Sequence, residues 1–159
     1  MKTILKFVAL AVFAAFVSAS LLAQSNPLLG TWKLNTAKSK FQPMPVPKSL
    51  TRTVEETSDA TKYTMKGENA DGSSISYGFT VKFDGKDYPA TGTMPGGADS
   101  ISIKKVDANH YEATLKKAGK EVGTSKLEIS KDGKVATLTS KGVTADGKPT
   151  QAVSIYDKQ

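Results

Sequence analysis

Arg52 is the residue of this sequence with the clearest capacity for chemistry, because it is the only arginine among 22 basic residues. It shares an alternating pattern with Leu50 and Val54, so a strand that buries those two side chains also directs Arg52 inward. A guanidinium inside a protein needs a carboxylate, phosphate or aromatic partner, since burying it unpaired is costly. Arg52 is therefore an anchor for an anionic ligand, or a structural group that pairs with Glu56, stacks on Trp32 or reaches water at the strand end.

Several large side chains in similar alternating runs are candidates to line a ligand cavity around that guanidinium. They are Tyr63, Met65, Tyr77, Phe79, Phe83, Tyr88, Tyr111 and Tyr156. The rings would supply apolar contact area, and the tyrosine hydroxyls would orient a partly polar guest. Side chains that pack against one another and fill the interior explain the same set, so a hollow and a filled interior both remain open.

Catalytic and metal-binding patterns are missing from the rest of the sequence. The chain contains no Cys, which excludes disulfides, thiolate chemistry and Cys-ligated metals. His110, the single histidine, follows Asn109 in a predicted turn, without a recognisable nucleophile or a second imidazole. Residues 92–97 are glycine-rich but lack the spacing of a phosphate-binding loop. We therefore predict a non-enzymatic protein with no catalytic residues, no metal and no cofactor.

The elements that must position these residues are strands, because apolar residues recur at every second position. The clearest run is Ile75, Tyr77, Phe79, Val81 and Phe83. Turn signals separate the runs, and Asp-Gly between alternating segments is a strong hairpin signal because tight turns need positive φ. The predicted turns are Asp71-Gly72, Asp84-Gly85, Asn109-His110, Ala118-Gly119, Asp132-Gly133, Asp146-Gly147 and the broader Pro95-Gly96-Gly97.

Hairpins that follow one another along the chain predict an all-β, antiparallel, up-and-down meander of about 8–10 strands. An open meander of that size would leave two long edges exposed, and closure into a barrel removes both. The segment from Asn35 to Lys48, which carries Pro43, Pro45 and Pro47, is predicted to be an extended loop. It either crosses one mouth of the barrel or forms a surface connection.

The first 23 residues have the organisation of a secretory signal peptide. Lys2 and Lys6 precede an apolar stretch at residues 7–17 and a group of small residues, with cleavage expected after Ala23, or alternatively after Ala19. The apolar stretch is short for a membrane-spanning helix, which needs about 20 residues. Gln24 stands where a lipoprotein would need Cys. We expect a signal peptide at residues 1–23, one domain at residues 24–159, and a periplasmic or secreted protein with no stable membrane span after cleavage.

Two segments carry a resemblance to a known superfamily. The sequence Leu29-Gly30-Thr31-Trp32-Lys33-Leu34 resembles the Gly-x-Trp first-strand signature of the calycins, which include lipocalins and fatty-acid-binding proteins. Residues 153–158, Val-Ser-Ile-Tyr-Asp-Lys, resemble the last strand of the fatty-acid-binding branch. The whole mature chain is similar to small secreted bacterial lipocalin-like proteins. The resemblance implies a barrel that Trp32 closes at one end, with a cavity for an apolar ligand.

These observations lead to two functional hypotheses. The first is an exported, non-enzymatic binding protein that holds a small apolar or amphipathic ligand inside a β-barrel. The second is a structural or interaction module with a filled core, which would act through a basic outer patch of Lys104, Lys105, Lys116, Lys117 and Lys120. Nucleic acid is not an expected partner, because arginine is nearly absent and no aromatic-basic motif occurs. The sequence does not indicate an oligomeric state.

Overall fold

The computed structural model describes residues 26–159 and shows an all-β fold. The predicted signal peptide and both of its cleavage sites lie outside the described residues. The strands are β1 (Gly30–Leu34), β2 (Lys40–Gln42), β3 (Ser49–Glu56), β4 (Thr61–Glu68), β5 (Ser74–Val81), β6 (Asp84–Gly92), β7 (Ser100–Lys105), β8 (His110–Lys117), β9 (Lys120–Ile129), β10 (Val135–Val143) and β11 (Pro149–Lys158). Within this range, no helix is long and apolar enough to cross a membrane.

The strands form one closed antiparallel barrel. From β3 to β11 each strand pairs with its neighbours in sequence, and β1 pairs with both β3 and β11. Closure leaves no long free edge, which is the physical reason for preferring a barrel to an open meander. The predicted up-and-down meander barrel is therefore confirmed.

The chain has eleven strands but only ten positions around the barrel wall, because β1 and β2 share one position. Along β11, β1 pairs with the stretch from Tyr156 to Lys158, whereas β2 pairs with the stretch from Gln151 to Val153. A turn at residues 35–39 separates the two, and buried Ser39 fixes it by donating a hydrogen bond from its hydroxyl to the Asn35 carbonyl (2.7 Å). The prediction of a loop throughout residues 35–48 was thus wrong at β2, which pairs with a strand far away in sequence.

Most predicted turns occur where the sequence places them. Ala118 and Gly119 link β8 to β9 with φ of 48° and 77°, the positive values that a two-residue hairpin needs. Asp84-Gly85 is an exception, because these residues begin β6 instead of ending a hairpin. Gly85 has a φ of 76° within a bulge between Asp84 and Asp87, so the dipeptide keeps turn-like geometry inside the strand.

One end of the barrel, here called the closed end, is sealed by Leu28, Trp32 and Ile129, each at most 2% exposed. The Trp32 Nε1 atom donates a hydrogen bond to the Leu28 carbonyl (3.0 Å), so the chain preceding β1 covers the ring. The Lys158 ammonium lies 4.9 Å from the centre of the Trp32 ring and donates to the Pro27 carbonyl (2.9 Å). These contacts tie the last strand to the segment before the first.

The predicted basic patch is not one surface. Lys105 lies opposite Tyr111 and Lys116 lies opposite Ser100, at the two ends of the β7–β8 hairpin. The two positions are five residue steps apart along the strands, roughly 17 Å at the usual rise. Lys116 also pairs with Asp87 (2.8 Å). The prediction was wrong because the five lysines adjoin one hairpin in sequence, whereas the length of its strands keeps the two groups apart.

Candidate functional site

The barrel encloses a cavity of about 200 Å³ above the closed end. It extends toward the opposite end, here called the mouth, where Met44, Pro95 and Val143 contribute to the lining. Most of the lining is apolar, which suits the burial of an apolar guest. Arg52 borders both this cavity and the packed space beneath it that contains Trp32. The guanidinium therefore belongs to the cavity floor.

Seven of the nine candidate ligand-binding residues lie in this lining. They are Arg52, Tyr63, Met65, Tyr77, Phe79, Tyr111 and Tyr156. Phe83 and Tyr88 lie outside it, in contrast to the prediction. Phe83 follows the end of β5 and packs on Tyr111 with ring centres 5.1 Å apart, and the Tyr88 hydroxyl donates to Asp84 (3.0 Å) on the surface. The irregular β5–β6 connection breaks the alternation on which that prediction depended.

Among the residues that the structure describes, Arg52 forms no ion pair with an acidic side chain. Its guanidinium carbon lies 5.0 Å from the centre of the Tyr63 ring, which corresponds to a cation–π contact. The Nε atom is buried and has no hydrogen-bond partner among residues 26–159. Glu56 is exposed, and Trp32 receives Lys158 over its ring, so the aromatic partner of Arg52 is Tyr63.

Tyr111 provides a second unpaired polar atom in the same lining. Its hydroxyl is buried, and no hydrogen-bond partner for it exists among the residues described. Tyr111 is on β8 and Arg52 is on β3, five positions apart in a barrel wall of ten, so the two side chains enter from opposite walls. Only these two buried side-chain N or O atoms in the described chain lack a partner, and both belong to residues that line one cavity.

The tyrosines around Arg52 are held in their neutral form. Burial raises the pKa of Tyr63 to about 12, against an opposing contribution from the Arg52 charge. Burial also raises the pKa values of Tyr77 and Tyr156, and the pKa of Tyr111 is raised by burial and by the Asp107 carboxylate. No acidic side chain occurs in the cavity lining. The floor therefore combines one positive charge with neutral phenol groups that can donate hydrogen bonds.

Several lining residues were not found from the sequence. Phe41 and Met44 come from the proline-containing segment, and Met94 comes from the loop after β6. Phe41 lies opposite Ala152 because β2 joins β11, a long-range pairing that local periodicity cannot reveal. The segment from Asn35 to Lys48 thus contributes directly to the cavity near its mouth.

Other polar clusters of the described chain do not form a comparable site. His110 Nδ1 lies 2.8 Å from Asp107 Oδ1, but both side chains are about half exposed and belong to a surface loop and its adjoining strand. Residues 26–159 contain no group of three His, Cys, Asp or Glu residues arranged to hold a metal ion.

Comparisons with known proteins give similarities in fold only. No protein-family model and no curated protein matches the sequence. Zebrafish ileal bile acid-binding protein complexed with cholic acid is 13% identical, with a TM-score of 0.46 over 84% of this chain and 99% of that chain. Redesigned β-barrel mFAP0, bound to DFHBI, is 16% identical, with a TM-score of 0.42 over 83% of this chain and 99% of that chain. The closed antiparallel strand order agrees with the up-and-down barrel that the sequence predicts.

Proposed function

We propose that this protein is a non-enzymatic binding protein that holds a small amphipathic molecule inside its barrel. An anionic group of the ligand accepts hydrogen bonds from Arg52 and Tyr111, and its apolar part fills the cavity above them. The observation that supports this proposal is the pair of buried, unpaired polar atoms, Arg52 Nε and Tyr111 Oη, in the lining of a single cavity.

The energetic argument depends on the cost of leaving these atoms unpaired. A buried polar group without a hydrogen bond costs about 1–3 kcal/mol, and more when the group is charged. A ligand that satisfies both atoms removes that cost. Burial of its apolar surface adds about 25 cal/mol per Å² before the costs of association are subtracted. A neutral, wholly apolar guest would gain only the second contribution.

The alternative hypothesis, a filled module that acts through a basic outer surface, receives less support. A cavity of about 200 Å³ is larger than the voids of an ordinary packed interior. The lysines proposed for the outer surface are divided between the two ends of the β7–β8 hairpin. An interior site therefore explains more of the observations.

Export is part of the proposal, supported by the signal-like organisation of residues 1–23. Cleavage after Ala23 would produce a mature chain that begins at Gln24. The test is N-terminal sequencing of protein expressed with its leader in a bacterium and recovered from periplasmic and medium fractions. Recovery of the protein with an intact Met1 terminus from the cytoplasmic fraction would contradict export.

Calorimetry tests the binding function with a matched pair of probes, 2-naphthoate and its neutral methyl ester. The proposal predicts saturable one-to-one binding of the anion and weaker binding of the ester. Native mass spectrometry of gently purified protein provides a second test, because a natural ligand should remain bound as an added mass. Absence of binding by both probes and by a wider panel of small apolar acids would contradict the proposal.

A further inference from the structure

The lumen of the barrel has two unlike walls. On one side, Ala113, Ser125, Ser140 and Ala152 lie directly opposite one another on the adjacent strands β8, β9, β10 and β11. All four line the cavity. We call these four residues the small-residue row. Because none of its side chains extends beyond a hydroxyl group, the row leaves the space in front of it open.

The other wall is built from three aromatic rings and one methionine. Tyr63 on β4 and Phe79 on β5 are cross-strand partners whose rings stack with centres 4.8 Å apart and planes at 26°. The neighbouring cross-strand pair, Met65 and Tyr77, also lines the cavity. The aromatic wall is formed by these four residues.

The strand order places the two walls across from each other. In a closed wall of ten positions, strands five positions apart face one another, so β4 faces β9 and β5 faces β10. The aromatic wall on β4 and β5 and the serines of the small-residue row on β9 and β10 thus lie on opposite sides of the same cavity. The space between these two walls is bounded by aromatic rings on one side and by small side chains on the other.

This shape has a direct consequence for ligand class. We infer that the ligand is a planar aromatic acid of one or two fused rings, whose ring system lies between the aromatic wall and the small-residue row. The inference rests on the proposed function, since Arg52 supplies the site for the acid group. Aromatic faces favour offset stacking with another ring. A rigid ring also loses less conformational freedom on binding than a chain with many rotatable bonds.

The cavity volume agrees with a compact ring system. A cavity of about 150 Å³ accommodates benzene, so the observed volume of about 200 Å³ suits a slightly larger flat molecule. Pockets for drug-sized ligands are larger, about 300–1,000 Å³. A long flexible acid would need to extend through the mouth, past Met44 and Pro95, and would lose contact with the aromatic wall.

The test compares 2-naphthoate with undecanoate, which has the same number of non-hydrogen atoms and the same carboxylate. Calorimetry at one pH and salt concentration should show at least tenfold tighter binding of 2-naphthoate. The preference cannot come from hydrophobicity, because the saturated chain buries more apolar surface. Equal or tighter binding of undecanoate, with the acid group still dependent on Arg52, would overturn the ring inference and leave the proposed function standing. Failure of both acids, and of the wider panel of small apolar acids, to bind would overturn both proposals.

A substitution in the small-residue row tests the location. Ser140→Leu should fill the space beside the aromatic wall and weaken 2-naphthoate binding at least tenfold. Thr139→Leu is the matched control, because Thr139 is exposed on the outer face of the same strand, and it should leave the affinity unchanged. Ala113→Val repeats the test with a smaller change if Ser140→Leu fails to fold, as judged by circular dichroism. Unchanged affinity in a folded row variant would overturn the placement.

Discussion

The guanidinium of Arg52 lies over the ring of Tyr63, 5.0 Å from its centre, while Arg52 Nε is buried without a hydrogen-bond partner in the described chain. The aromatic contact compensates part of the charge, since a desolvated cation–π contact contributes about 2 kcal/mol. It leaves a directional N–H group unused at the floor of an apolar cavity. The contact with Tyr63 therefore helps to stabilise the charge of Arg52 inside the folded protein, while the Nε–H group is left to bind a ligand.

Replacement of that charge should change ligand preference more than stability. Arg52→Met keeps a side chain of similar length but removes all N–H donors. We expect at least tenfold weaker binding of 2-naphthoate, since a hydrogen bond to a charged group contributes about 1.5–3 kcal/mol. Binding of the neutral methyl ester should change less than threefold. Equal losses for both probes in calorimetry would show that Arg52 is not an anion anchor.

The unpaired hydroxyl of Tyr111 should lower the free energy of unfolding of the ligand-free protein. Tyr111→Phe removes a buried group without a partner, so the free energy of unfolding should rise by about 1 kcal/mol. The affinity for 2-naphthoate should fall about fivefold because one hydrogen bond is lost. Urea unfolding and calorimetry measure these two effects. Tyr88→Phe is the matched control, because its hydroxyl does have a hydrogen-bond partner, Asp84 (3.0 Å), so this variant should instead lose about 0.5–1.5 kcal/mol. A destabilised Tyr111→Phe protein would indicate that the hydroxyl has a structural partner.

High pH should destabilise the protein partly through Tyr63. The ordinary pKa of this side chain is 10.0, and in the folded protein it is raised to about 12. Between these values the unfolded chain loses the proton while the folded protein keeps it, so stability is full below pH 10 and falls as pH rises toward 12. Tyr63→Phe should make this decline shallower, by up to about 1.4 kcal/mol per pH unit. Identical slopes for the two proteins in urea unfolding at pH 9.5 to 11.5 would argue against a raised pKa.

The closed end should depend strongly on Trp32. Trp32→Ala removes a side chain that is 2% exposed, so we expect a loss of about 3–5 kcal/mol in the free energy of unfolding. Urea unfolding followed by circular dichroism measures the loss. Val106→Ala changes a side chain that is 56% exposed and should have an effect within about 0.5 kcal/mol. A loss below 1 kcal/mol for Trp32→Ala would mean that the ring does not seal the barrel.

Local alternation was sufficient to predict much of the cavity lining. Arg52 follows the phase of Leu50 and Val54, and Tyr63, Met65, Tyr77 and Phe79 alternate within uninterrupted strands, so their inward direction could be predicted. The prediction failed for Phe83 and Tyr88 because the chain leaves β5 and enters a bulge between Asp84 and Asp87, which changes the phase. Alternation at every second residue predicts the direction of a side chain only while the strand is regular.

The missing lining residues required long-range information. Phe41 enters the cavity wall only because β2 pairs with β11, more than a hundred residues away. The small-residue row had a local signal, since Ser125 and Ser140 each stand two residues from a buried or half-buried leucine. That signal does not show which large residues lie across the lumen. Whether the interior is hollow or filled depends on which side chains meet across the lumen, so the sequence left both possible.

The methionine methyl groups offer the most direct measurement of interior binding. Met44, Met65 and Met94 all line the cavity and are the methionines of the described chain. Titration of methyl-¹³C-labelled protein with 2-naphthoate, followed by nuclear magnetic resonance, should shift the Met65 and Met94 signals together and saturate at one equivalent. Unmoved methionine signals, with backbone amide shifts confined to the outer surface, would contradict a binding site inside the barrel.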